Sequence, residues 1–161
     1  MENINQLYFH CILIVENNER SICPTWHDNL FKYVNTVLKY HGHEPITVNA
    51  HYDHMHLLFR MSPEMSIDNL MRIVKRCTTV YAATIPDRAT LTWSEEYVCV
   101  SCSRTELDLV ARSINKQETY HSQKALREEI EDLLDRMESD IPIEHLMACQ
   151  FWYGPLDYSP N

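Results

Sequence analysis

The residues of this chain best placed to do chemistry are His54 and His56, two apart at the start of the apolar run His54-Met55-His56-Leu57-Leu58-Phe59. On a strand alternate side chains leave the same face, so the two imidazoles point together while Met55 and Leu57 go to the other side. Imidazoles held side by side can chelate one divalent ion, and a third ligand from another element would complete a site with positions open to substrate. The plain alternative is a chance pairing among nine histidines in 161 residues. A second pair, His41-Gly42-His43, has the same spacing. Its glycine points to a helix end or turn, where side-chain directions are not fixed and a shared ion is not expected.

Elements that could position such a pair follow from periodicity. Leu7 to Val15 reads as a central strand, apolar on both faces and rich in branched and aromatic residues, ended by the polar turn Glu16-Asn17-Asn18-Glu19. Leu30, Val34, Val37 and Leu38 fall at helical spacing, which predicts an amphipathic helix from Trp26 to about Tyr40, closed by Gly42. Pro45 to Ala50 and His54 to Met61 read as strands whose short link around Tyr52-Asp53 makes them an antiparallel hairpin. Ser66 is a good N-cap for a helix to about Ala83 with the buried stripe Ile67, Leu70, Met71 and Val74. Its polar side carries Arg72, Lys75 and Arg76, either a solvated face or a phosphate-contacting patch.

Trp93 and Tyr97 to Ser101 supply a fourth strand, and Ser103-Arg104-Thr105-Glu106 reads as a capping box for a helix with the stripe Leu107, Val110, Ala111 and Ile114. A charged helical stretch follows from Lys124 to about Met137. The expected organisation is one domain over 1–139 and a C-terminal tail over 140–161, whose Phe151, Trp152, Tyr153 and Tyr158 make it a docked tail or a partner-binding segment. The element order predicts an α+β fold, an antiparallel sheet with helices packed on it.

Composition bounds the function. Hydrophobic content of 45% is globular, and no apolar run approaches the length of a transmembrane helix or has the basic start of a signal peptide, so a cytoplasmic protein is expected. Six scattered cysteines, with one C-x-x-C at Cys99 and Cys102, fit ordinary thiols of a reducing compartment; an offset of three on a strand puts those two sulfurs on opposite faces. The net charge of -9 counts against nucleic acid, but -7 of it falls from Glu118 onward and only -2 on residues 1–117, so a local basic face remains open.

With these motifs in order, Asp53-His54-Met55-His56-Leu57-Leu58, the Ser66–Ala83 helix with Leu70, Arg72 and Lys75, then Trp93, Tyr97 and Ser101, and finally Ile114-x-x-Gln117-Glu118-x-x-His121, the chain resembles the single-tyrosine HUH transposases of small bacterial insertion sequences and their repeat-associated relatives. The likeness runs from about Tyr8 to Glu129. It implies a ferredoxin-like HUH nuclease fold, a homodimer, and recognition of single-stranded DNA folded into hairpins. It also implies Mg²⁺ or Mn²⁺ held on the scissile phosphate by His54, His56 and Gln117, with a tyrosine four residues before the glutamine as nucleophile. A nucleophile and a ligand at i and i+4 share one helix face, so a helix laid over the histidine strand would deliver both to one phosphate.

At that position the chain carries Ser113, a side chain a whole ring shorter and far less acidic than tyrosine. Tyr120 lies three residues after Gln117 on the same helical face, but about 10 Å along the axis from position 113, so using it would require the helix to slide or a partner protomer to supply it. The turn after the first strand lacks the basic residues of the relatives, and Glu95, Glu96 and Val98 stand where they tend to carry glycine. The expectation is a transposase-like protein that binds single-stranded hairpin DNA at the metal site, with strand cleavage impaired or lost. The alternatives are an active transposase using Tyr120 or Ser113, and an acidic protein-interaction module without DNA binding.

Overall fold

Apolar runs bounded by polar turns become the strands, and the 3.6-residue stripes become the helices. The computed structural model describes residues 3–86, 89–116 and 126–136. Among these residues β1 (Tyr8–Val15), β2 (Glu44–His51), β3 (His54–Arg60) and β4 (Trp93–Cys102) form one sheet of order β2-β3-β1-β4, with every pairing antiparallel. The inner strands β1 and β3 are covered on both faces, which is why their sequences are almost unbroken apolar runs rather than alternating ones. Tyr52 and Asp53 link β2 to β3. The turn is pinned from below: the Asp53 carbonyl accepts the Val15 N–H at 2.8 Å and the Tyr52 carbonyl accepts the Ile22 N–H at 3.0 Å.

One face of the sheet carries the core. Cys11 and Leu13 of β1 and Met55, Leu57 and Phe59 of β3 pack against Leu30, Val34 and Leu38 of α1 (His27–Tyr40) and Leu70, Met71 and Val74 of α2 (Ile67–Ala82). Each such side chain contributes about 1.5–3 kcal/mol of burial. Gly42, at φ +82°, ends α1 in the left-handed conformation that glycine adopts without a steric penalty. Ser66 caps α2 as its spacing predicts, its Oγ accepting the Asn69 N–H at 3.2 Å. Cys11 and Cys99 lie opposite one another across β1 and β4 on this face with their sulfurs 2.9 Å apart, while Cys102 pairs with Tyr8 on the other face.

The two expected pieces of the fourth strand are one strand with a bulge. Its register on β1 shifts between Leu13 and Val15, so that Trp93 falls opposite Val15. Lys75 of α2 holds the irregular stretch: its ammonium donates to the carbonyls of Ser94 and Glu95 at 2.7 Å each and of Glu96 at 3.4 Å.

On the opposite face lies α3 (Leu107–Asn115), entered through the expected capping box of Ser103 and Glu106. Its C-terminal turn is tied to β2 by Asn49 Nδ2 donating to the Ile114 carbonyl at 3.0 Å and Thr47 Oγ1 donating to Asn115 Oδ1 at 2.9 Å. Ile114, the buried residue of the helix, adds its apolar surface to these bonds. Residues 1–115 make up one compact unit and residues 116–161 a second. In the second, α4 (Leu126–Arg136) carries the stripe Leu126, Ile130 and Leu133 and an Arg127–Glu131 pair at 2.8 Å. No helix among the described residues is long and apolar enough to cross a membrane.

Candidate metal centre

Register decides what shares a face with the histidines. Cross-strand partners point the same way, and β3 sets His56 opposite Ile12 of β1 and Asn49 of β2, with His54 opposite Ile14 and His51. His54 and His56 therefore stand on the face where α3 is tied down, away from the core, as period-2 spacing requires. Both are fully buried, their rings 5.0 Å apart between centroids, with ligand-capable nitrogens within 4.8 Å of one another.

Each ring is anchored through Nδ1. His54 Nδ1 is 2.7 Å from Asp53 Oδ1, and the aspartate, 3% exposed, is fixed by the pinned turn. A carboxylate only accepts, so His54 is the Nδ1–H tautomer and its lone pair sits on Nε2. His56 Nδ1 is 2.8 Å from Nε2 of His10, a buried residue of β1 whose ring meets that of His56 edge to edge, with centroids 5.1 Å apart and planes inclined at 27°. Anchoring of this kind is what a metal-ligating histidine needs to hold its ring orientation. Two neutral imidazoles leave a divalent ion its full charge, and nitrogen donors suit a first-row transition ion better than Mg²⁺. The donor set thus fits an ion.

The other residues singled out by sequence fall in three places. Ser113 lies on α3, one residue before buried Ile114, and is exposed; among the described residues none hydrogen bonds to its hydroxyl. Gln117 and Tyr120 lie outside the described residues. Arg72, Lys75 and Arg76 line a cleft of about 610 Å³ between α2 and β4, together with Trp93 and Tyr97. Tyr97 donates its hydroxyl to Asp68, and burial and that carboxylate push its acidity well below that of a free phenol. Burial lowers the basicity of Lys75, whose protons face the β4 carbonyls, while Arg72 and Arg76 are exposed. Since α2 packs on the core face, this cleft and the histidine pair lie on opposite sides of the sheet. A strand of nucleic acid touching both would have to pass around the β4 edge.

Asp53 and His10 are the site residues that spacing alone did not single out. Asp53 adjoins the pair, and its role depends on the turn conformation. His10 has the parity of Ile12 and Ile14 on β1, but only the β1–β3 register brings it to His56.

A four-stranded antiparallel sheet with helices on both faces and a buried, anchored histidine pair defines a small α+β domain with a candidate metal-dependent centre. Residues 3–117 match the family described as "Transposase IS200 like", and the chain belongs to that family. Its fold is similar to that of a candidate transposase from Deinococcus radiodurans R1, with a TM-score of 0.57 at 16% identity over 73% of this chain and 95% of that one. It is likewise similar to a REP-associated tyrosine transposase bound to a REP hairpin, with a TM-score of 0.57 at 13% identity over 75% of this chain and 72% of that one. No curated protein sequence matches the chain.

Proposed function

We propose that this chain is a transposase-like protein that binds single-stranded hairpin DNA, as a cytoplasmic homodimer, through a divalent ion at His54 and His56, with its strand-cleaving activity impaired or lost. The observation that carries this reading is the contrast between the two halves of the centre. The histidine pair is intact, buried and anchored at both Nδ1 atoms. The helix laid on the same face carries exposed Ser113 where the resemblance calls for the tyrosine nucleophile. Gln117 completes the ligand set in this reading. Bound there, the ion would polarise a phosphate oxygen and fix the hairpin's position. Arg72 and Arg76 would meet the DNA backbone where it leaves the sheet edge. Attack on the phosphate is what fails: a serine hydroxyl needs a base to activate it, and α3 offers it solvent. The hairpin-bound relative supports the choice of ligand.

The test is incubation of the full chain with hairpin-containing single-stranded DNA and Mn²⁺. The expected result is a mobility shift that weakens steeply as salt rises, with no covalent adduct on a denaturing gel. An adduct abolished by Tyr120→Phe or by Ser113→Ala would show an active transposase using that residue. No shift with any hairpin at low salt would leave the protein-interaction module.

A further inference from the structure

The hydrogen bond between His10 and His56 has two polarities with opposite consequences for an ion. If His56 donates from Nδ1, its lone pair lies on Nε2 and the ring is a ligand. If His10 donates from Nε2, His56 carries its proton on Nε2 and cannot ligate there. Asp53 leaves no such choice for His54, because a carboxylate only accepts. His10 is buried at 7% exposure, inclined at 27° to the His56 ring that it meets edge to edge, and held by the β1–β3 ladder, so the contact is a fixed part of the sheet.

Resting on the metal-centre reading above, we propose that His10 is a positioning residue: it accepts the Nδ1 proton of His56 and so holds that ring in the ligating tautomer and orientation. The linkage is reciprocal. An ion on Nε2 makes His56 a better Nδ1 donor, and an acceptor at position 10 tightens the ion's hold. His54 and His56 are thereby oriented by different chemistry, one by an acid next to it in sequence and the other by a neutral ring 46 residues away.

The experiment compares the full-length wild type with His10→Phe, which keeps the ring and removes the acceptor, and His10→Gln, whose side-chain carbonyl reaches as far as Nε2. Two quantities are read: Mn²⁺ affinity by calorimetry, and the ring tautomer of His56 in metal-free protein by nitrogen-15 NMR. His10→Phe is expected to weaken Mn²⁺ by about 10- to 100-fold and to raise the Nε2–H population of His56. His10→Gln restores most of both, which a loss of packing alone would not explain. If the phenylalanine does not fold, His10→Asn, too short to reach Nδ1, takes its place. Wild-type affinity and an unchanged tautomer in His10→Phe, with His56→Ala unable to bind, would overturn the role of His10 and leave the metal centre standing. A wild type with His56 as the Nε2–H tautomer would overturn it as well. A wild type that binds no Mn²⁺ while the tautomer still follows position 10 would instead overturn the metal centre and uphold the control of His56 by His10.

Discussion

His41-Gly42-His43 and His54-Met55-His56 have the same spacing, and the fold uses them in unrelated ways. In the first, Gly42 turns the chain through a positive φ, and His43 folds inward to 2% exposure. There its Nδ1 accepts the Ser62 N–H at 3.0 Å and its ring meets Phe59 edge-on. It works as a splint between the end of α1 and the end of β3. In the second pair no backbone turn intervenes, so both rings leave one strand face together and are anchored at Nδ1 by other side chains. Spacing proposes a chelate, and backbone conformation between the two residues decides whether one exists.

The sharpest way to break this comparison is a crossed experiment on the two pairs. His56→Ala is expected to lower Mn²⁺ affinity by at least about 100-fold, while His43→Ala leaves it unchanged. Calorimetry showing equal losses would erase the distinction. Stability should answer in the other direction. With chelator present, His43→Ala is expected to cost about 1–3 kcal/mol in urea unfolding, because the half-buried Ser62 amide loses its acceptor and a packed ring is removed.

Gly42→Ala comes next. An added Cβ would find Ser62 Cβ 4.0 Å away, an ordinary contact, so its penalty is the left-handed backbone alone, about 1–2 kcal/mol in the same assay. Gly42→Asn should cost less. No difference between the three would mean that the turn does not need its positive φ.

The smallest expected effect is on pH dependence. Burial, followed by the nearby His41, lowers the basicity of His43 below the ordinary histidine value of 6.5. The unfolded chain then binds a proton that the folded one resists. This contribution to stability is complete above about pH 6.5 and is lost as pH falls from there toward the lowered folded value. His43→Asn keeps an acceptor for Ser62 without the titration. Wild type minus this variant should therefore show the decline, and a flat difference from pH 7 to 5 would place the ring in water.

Much of the architecture was legible because burial imposes period. The α1 stripe of Leu30, Val34, Val37 and Leu38, the Ser66 cap, the β2–β3 hairpin and the shared face of His54 and His56 all follow from spacing and turn chemistry. What depends on register did not. Nothing near His10 announces His56, since strand order and pairing are set by the whole sheet. The polar side of α2 likewise read as three equivalent cations, yet Lys75 faces the β4 bulge while Arg72 and Arg76 face solvent. Gln117, the third ligand that the resemblance implies, and Tyr120, the alternative nucleophile, lie outside the described residues.

The grip of Lys75 on the β4 carbonyls has a practical consequence for anyone scanning α2 for contacts with a polyanion. Alanine at 75 would release three carbonyls and loosen the irregular strand, so a weakened complex would report a damaged scaffold rather than a missing charge. Arg72 and Arg76 carry no such duty toward β4, and glutamine at those two positions is the cleaner probe.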